Sequence, residues 1–144
     1  AESYVADEGQ RLDLYRRLGI ADSDATINAI AEELRDRFGA PPAEAERLLE
    51  VARLRAGASE AGLASLLIEE GRLIVRLGEL QPGLAARALV ANPIPELSMS
   101  GSQIRSRERV AGGEAWRLAA RLVQGIVAEV RRWEATNAAG APLA

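Results

Sequence analysis

Hydrophobic residues recur at intervals of three and four over the first 60 positions of the chain, the spacing of helices with one buried face. The first predicted helix follows an extended lead-in at 1–6. It starts with Asp7 and Glu8, whose negative charge favours the first turn of a helix, and Gly19 is placed to end it. Its apolar positions recur every three residues: Leu12, Tyr15 and Leu18.

Two further helices are predicted before residue 62. Asp22 or Ser23 caps the second helix, and Gly39 stops it. The pair Pro41-Pro42 forces a turn and starts the third helix, which we expect to end between residues 58 and 61 because glycines weaken helical propensity there. The predicted buried faces are Ile27, Ile30, Leu34 and Phe38 in the second helix and Ala45, Leu48, Leu49 and Ala52 in the third.

The pattern changes from helical to alternating after Leu63. Leu73, Val75 and Leu77 point to one side of a predicted strand, and its partner covers 66–68. The four residues Glu69-Glu70-Gly71-Arg72 join them, because glycine takes the positive φ that a tight hairpin turn requires. The alternation therefore predicts a β-hairpin.

The second half of the chain predicts two more helices with a hairpin between them. The first runs from Pro82 to about Ala91, and two prolines end it. Strands are predicted around 97–99 and 103–107, and the last helix runs from Gly112-Gly113 to about Thr136. The predicted stripe of that helix is Trp116, Ala119, Val123, Val127, Val130 and Trp133.

This order predicts an α+β fold with N-terminal helices, a small antiparallel sheet built from two hairpins, and a long C-terminal helix. We expect a single domain over 1–136 and a flexible tail over 137–144, whose small residues cannot offset the entropy of ordering. Because the chain begins with alanine and not methionine, we also expect it to be a domain of a longer polypeptide.

Composition removes most catalytic chemistry. The 144 residues include no cysteine and no histidine, and all 18 basic residues are arginine, so disulfides, histidine triads and phosphate-loop lysines are excluded. We expect no catalytic residue, no cofactor and no metal in this chain. The formal charge of −3 disfavours direct DNA binding. No apolar run is long enough to cross a membrane, and we expect a cytoplasmic monomer.

One acidic strip stands out among otherwise scattered charges. Glu32, Glu33 and Asp36 share a face of the second helix, since residues three or four apart are neighbours on a helix. A solvated face with local ion pairs and a contact with arginines of another domain both explain the strip, and the residues alone favour the first. Five arginines late in the chain are interpreted as surface charge or protein contacts: Arg105, Arg107, Arg109, Arg131 and Arg132.

Three segments resemble a known domain. They are Tyr4-Val5, the run from Asp7 to Leu18 that contains RLDLYRRL, and the run from Glu33 to Gly39 that reads ELRDRFG. With Pro42 and the stretch 48–55, they are similar to the C-terminal (TRCF) domain of the bacterial transcription-repair coupling factor Mfd. Residue-level similarity covers roughly the first 60 positions, and beyond Gly62 only the layout is shared.

The resemblance implies a regulatory role. The family's full-length protein is a DNA-translocating ATPase of the helicase superfamily, dependent on ATP and Mg²⁺, that acts on RNA polymerase stalled at DNA damage and recruits UvrA for nucleotide excision repair. Its C-terminal domain is expected to pack on the UvrB-like N-terminal module of the same chain, which hides the UvrA-binding surface until the motor engages. The resemblance implies autoinhibition without catalysis in this segment.

The same resemblance assigns residues. In the family, the acids of the ELxDRFG segment face arginines on the UvrB-like module, which places this interdomain latch on Glu33 and Asp36. Arg37 is expected to brace a neighbouring acid, and Phe38 to lie on the buried stripe. The alternative is a structural protein–protein interaction module without a repressive role. An enzyme and a direct DNA-binding module are the remaining, weaker alternatives.

Overall fold

The structure is a computed structural model that describes residues 4–138. The chain divides into two compact units, Ala1–Gly57 (unit 1) and Ala58–Ala144 (unit 2). The elements in chain order are α1 (Glu8–Ile20), α2 (Asp24–Phe38), α3 (Ala43–Glu60), β1 (Ser65–Glu69), β2 (Arg72–Arg76), α4 (Pro82–Ala91), β3 (Leu97–Ser100), β4 (Gln103–Ser106) and α5 (Gly112–Ala138). The α+β prediction is confirmed, and the single domain over 1–136 stays a prediction.

Helix ends in unit 1 follow capping chemistry. The Asp7 carboxylate accepts from the backbone N–H groups of Gly9 and Gln10, and the Ser23 hydroxyl accepts from the N–H of Thr26 at 3.2 Å. Gly39 ends α2 at φ 86°, a left-handed value that glycine takes without steric cost. The predicted cap at Ser23 and stop at Gly39 are therefore confirmed.

Unit 1 has its own hydrophobic core. Ile27, Ile30 and Leu34 of α2 are buried as predicted, and Phe38 is half-buried with Tyr4 packed edge-on against its ring at 5.8 Å. The remaining core members come from all three helices and from the segments that precede α1 and α2: Val5, Leu14, Leu18, Ala21, Ala31, Leu49, Ala52 and Ala56.

Two predicted buried positions in α1 and one in α3 were wrong. Leu12 and Tyr15 are 60% and 51% exposed, whereas Leu14 and Leu18 carry the buried face of α1. Leu48 is 45% exposed, and the buried face of α3 continues from Leu49 through two alanines instead. Both helices carry apolar residues on more than one side, so that spacing alone selects no single stripe.

Unit 2 contains a four-stranded antiparallel sheet in the order β1-β2-β4-β3. Glu70 and Gly71 form the predicted tight turn, with φ values of 50° and 77°. Leu73, Val75 and Ile104 point into the core, and the Ser106 hydroxyl accepts from the Leu73 N–H at 3.0 Å. Both predicted hairpins are confirmed, and β2 and β4 join them into one sheet.

Helix α5 packs on α4 and β2 to complete the core of unit 2. Its buried side chains include Leu118, Leu122 and Ile126, whereas Trp116, predicted on the buried stripe, is 46% exposed. Ala119, Val123 and Val130 of the predicted stripe are buried, so the buried face of α5 overlaps the predicted one and also includes Leu118, Leu122 and Ile126 beside it. The helix extends two residues into the predicted tail, and 1–3 and 139–144 lie outside the described residues.

Candidate functional site

The two predicted latch residues lie on α2 in very different settings. Glu33 is held by arginines from two helices: Arg17 of α1 donates to both of its carboxylate oxygens at 2.9 Å, and Arg37 donates to Oε2 at 3.1 Å. The Arg17 contact is a bidentate fork, the strongest geometry for such a pair. This three-residue cluster, the Glu33 clamp, joins α1 to α2 within unit 1.

The clamp changes the acidity of its carboxylate. Hydrogen bonds from Arg17 lower the pKa of Glu33 to about 2, and the charge of Arg17 and the contact with Arg37 act in the same direction against partial desolvation. The hydrogen bond with Glu33 likewise raises the pKa of Arg17. Glu33 is therefore ionised throughout the physiological range.

Glu33 has little capacity left for an external donor. An ionised carboxylate offers about four acceptor positions, and three are used by Arg17 and Arg37. Its side chain is 31% exposed, so one edge remains accessible. Arg37 braces this acid, as predicted, and its guanidinium also lies 5.2 Å from the centre of the Phe38 ring.

Asp36 is open. It is exposed and makes no hydrogen bond or ion pair with any residue that the structure describes. The arginines on either side are directed elsewhere, Arg35 toward Glu46 at 3.8 Å and Arg37 toward Glu33. Asp36 also lies in the last turn of α2, where the helix dipole disfavours a negative charge. A cation from outside the described residues would give Asp36 a partner and would offset the unfavourable interaction of its charge with the helix dipole.

The end of α2 that carries Asp36 is fixed in place. The Tyr4 hydroxyl lies 2.7 Å from the Gly39 carbonyl oxygen and 3.2 Å from that of Leu34, and it donates to this pair. Burial is the main cause of the raised pKa of Tyr4. Glu32, one turn before Asp36, is exposed and likewise without a hydrogen bond or ion pair in 4–138. Glu32 and Asp36 form the open acidic pair.

The sequence identified Glu33 and Asp36 but missed Arg17, the main partner of Glu33. Arg17 lies 16 residues away on another helix, so the contact depends on how α1 packs against α2. A weak signal existed, since Arg17 falls outside the buried positions of α1, and the neighbouring helix α2 carries four acids.

Other features of the described residues offer no catalytic arrangement. No group of three metal-ligating side chains comes together within 4–138, and no helix there is long and apolar enough to cross a membrane. A shallow cleft of about 370 Å³ lies in unit 2 between the end of α4 and α5. It is lined by Ala91, Asn92, Pro93, Arg121, Gln124, Gly125 and Ala128, none of which is an acid or a nucleophile.

Comparisons with known proteins agree with the resemblance. The model of the TRCF domain family matches residues 1–85, beyond the first 60 positions where residue-level similarity was expected. Transcription-repair-coupling factors of Mycobacterium bovis and Mycobacterium tuberculosis are 38% identical over 124 residues, covering 74% of this chain and 10% of each relative. The transcription-repair-coupling factor of Escherichia coli is 33% identical over 78 residues, which cover 54% of this chain and 7% of that relative.

A solved structure shares the fold. The crystal structure of the C-terminal domain of transcription-repair coupling factor superposes with a TM-score of 0.73, covering 90% of this chain and 86% of that one at 13% identity. The chain spans about a tenth of the length of the curated relatives that it matches. On the family model and the mycobacterial relatives together, the chain belongs to the TRCF domain family of transcription-repair coupling factors.

Proposed function

We propose that this chain is the autoinhibitory domain of a transcription-repair coupling factor, which packs on the UvrB-like module of the same polypeptide and masks its UvrA-binding surface. The observation that carries the proposal is the contrast on α2. Asp36 is an exposed carboxylate with no partner in 4–138, positioned one turn from a carboxylate that two arginines hold rigid. Such an acid is suited to accept a forked arginine from a partner surface.

The two site residues then have separate roles. Asp36, with Glu32 beside it, makes the direct contact, because no residue of 4–138 donates a hydrogen bond to either carboxylate. Glu33 fixes α1 against α2 and offers one remaining acceptor position at the rim of the contact. The number of charged contacts is small, which suits an interdomain contact that must open when the motor engages.

No catalytic step is assigned to this chain, and we place ATP, Mg²⁺, DNA and RNA polymerase with other modules of the parent protein. The chain acts by occupancy: while it covers the UvrB-like module, UvrA is excluded. A few charged contacts keep the closed and open states within a few kcal/mol of each other, so that a conformational change in the motor shifts the equilibrium.

The test is a calorimetric titration of this chain against the isolated UvrB-like module, with UvrA as competitor. We expect salt-sensitive binding that UvrA displaces and that Asp36→Asn weakens about tenfold or more. Asp22→Asn is the matched control, since it makes the same chemical change on an exposed acid just before α2. Equal binding by Asp36→Asn and the parent chain would remove Asp36 from the contact.

The alternative module without a repressive role predicts a different pattern. In that case the chain docks a protein other than the UvrB-like module, the titration against that module gives no binding, and UvrA binds the module with unchanged affinity whether or not the chain is present. Displacement by UvrA therefore separates masking from simple docking.

A further inference from the structure

The outer face of the sheet in unit 2 carries basic and apolar side chains. Alternate residues of each strand point away from α5, and the register aligns them in rows across the four strands. One row reads Leu67, Ile74, Arg105 and Ser98, and the next reads Ser65, Arg76, Gln103 and Ser100. These eight residues are called the outer rows.

The two arginines of the outer rows are without a partner among residues 4–138. Arg76 and Arg105 are exposed, and neither makes a hydrogen bond or ion pair within the part of the chain that the structure describes. Arg105 of β4 is directly opposite Ile74 of β2, and Arg76 lies two residues further along β2. The two arginines are therefore diagonal neighbours, and their Cα atoms are about 7–8 Å apart. No acid lies in the outer rows, and ten guanidinium N–H groups therefore face solvent together.

An apolar pair adjoins these arginines. Leu67 and Ile74 are directly opposite each other on β1 and β2, and Leu67 is 43% exposed. Ile74 in turn is opposite Arg105 on β4. Leu67, Ile74 and Arg105 therefore lie side by side on three neighbouring strands, which are about 4.8 Å apart, and the surface changes from apolar to basic along this row.

We propose that the outer rows dock an acidic amphipathic helix of a protein partner. Residues three and four apart on a helix are about 5–6 Å apart, close to the strand spacing. The apolar stripe of such a helix covers Leu67 and Ile74, while carboxylates on its adjacent flank reach Arg76 and Arg105. Charge-assisted pairs fix the orientation of the helix, and the apolar pair supplies the buried area.

A helix fits this surface better than a nucleic acid does. No aromatic side chain lies in the outer rows to stack on bases. In the next row along the sheet Glu69 is directly opposite Arg72, so a continuous phosphate backbone would meet a carboxylate there as well as a guanidinium. The Leu67–Ile74 pair, moreover, has no apolar counterpart on a phosphate backbone. The outer rows contain none of the residues of the proposed latch, so the inference does not depend on the proposed autoinhibition.

The probe is a designed helical peptide of about 18 residues with a leucine stripe beside a glutamate stripe. Fluorescence anisotropy of the labelled peptide measures its binding to the whole chain. A peptide of the same composition in scrambled order is the first control. We expect the patterned peptide to bind at least about tenfold more tightly than the scrambled one, and amide NMR signals of the outer rows to shift.

Variants test the surface. Arg76→Glu/Arg105→Glu is expected to weaken binding by about tenfold or more, and Leu67→Ala by about threefold or more. Arg47→Glu/Arg87→Glu makes the same charge change at exposed arginines elsewhere and should leave binding within about twofold. Because charge reversal on a sheet can disturb folding, Arg76→Gln/Arg105→Gln serves as a milder second variant.

Three outcomes overturn the inference. The first is that the patterned and scrambled peptides bind equally. The second is that either arginine-pair variant, shown by circular dichroism to be folded, binds as tightly as the parent chain. The third is that a duplex DNA oligonucleotide binds through Arg76 and Arg105 more tightly than the peptide, which would assign the surface to nucleic acid.

Discussion

Replacing Glu33 by glutamine should destabilise unit 1 in a pH-dependent way. The substitution keeps the size of the side chain but removes the charge that holds Arg17 and Arg37. A carboxyl whose pKa falls from 4.5 to about 2 on folding gains up to about 3 kcal/mol of stability. The three side chains are 31–46% exposed, and solvent screening reduces this to about 1–2 kcal/mol.

The sign of the pH effect follows from the lowered pKa. The folded state favours the ionised form of Glu33, so its contribution is complete above about pH 5.5 and decreases as the pH falls through 4.5 toward 2. The glutamine variant does not titrate at this position. We therefore expect it to be about 1–2 kcal/mol less stable than the parent chain at pH 7 and nearly equal to it at pH 2.

Urea unfolding followed through amide NMR signals of α1 and α2 measures this difference. Tryptophan fluorescence would report on the wrong part of the chain, because Trp116 and Trp133 both lie in unit 2. Glu32→Gln is the control, since this neighbour is exposed and unpaired within 4–138. It should change stability by less than about 0.5 kcal/mol. A Glu33→Gln effect of equal size at pH 7 and pH 2 would refute the reasoning.

Three further substitutions, each measured by urea unfolding, test contacts inside one unit or the other. Leu49→Ala should cost about 2–5 kcal/mol because Leu49 is fully buried, and a cost below 1 kcal/mol would mean that the site collapses around the smaller side chain. Gly78→Ala should cost about 2–4 kcal/mol, since φ is 60° and the added Cβ lies 2.8 Å from the backbone nitrogen of Ala64; no loss would contradict that turn. Ser106→Ala should cost about 1–3 kcal/mol by leaving the buried Leu73 N–H without an acceptor, and faster exchange of that amide with solvent is the matching signal.

Local chemistry allowed most elements to be predicted. Ser23 and Gly39 mark the ends of α2 because a hydroxyl cap and a left-handed glycine act within a few residues of their own position. The turn at Glu70 and Gly71 is equally local. Alternation of apolar and polar residues was enough to assign both faces of β2, since a strand has only two sides.

The choice of buried face on a helix was less predictable. In α1, Leu12 with Tyr15 and Leu14 with Leu18 both have helical spacing, and only the second pair is buried. Packing against α2 decides between them, which no window of sequence contains. Trp116 illustrates the same limit in α5, where a large aromatic ring stays half-exposed beside the smaller buried Ala115.

The candidate site divides along the same line. Asp36 and Glu33 could be named from the ELRDRFG segment, and the i, i+4 contact between Glu33 and Arg37 follows from helix geometry. The stronger contact with Arg17 depends on tertiary packing. The sequence does not show this contact, so Glu33 and Asp36 look equivalent there. In the structure Arg17 holds Glu33, whereas Asp36 is exposed and has no partner in 4–138.

The autoinhibitory role is tested most directly by UvrA binding to the full-length protein with and without Asp36→Ala. If Asp36 closes the protein over its UvrB-like module, the variant should bind UvrA about tenfold or more tightly than the parent, and Asp22→Ala should bind like the parent. The combined change Glu33→Ala/Asp36→Ala should bind at least as tightly as Asp36→Ala alone. If neither the single nor the combined variant binds UvrA better than the parent protein, the latch is not formed by these residues.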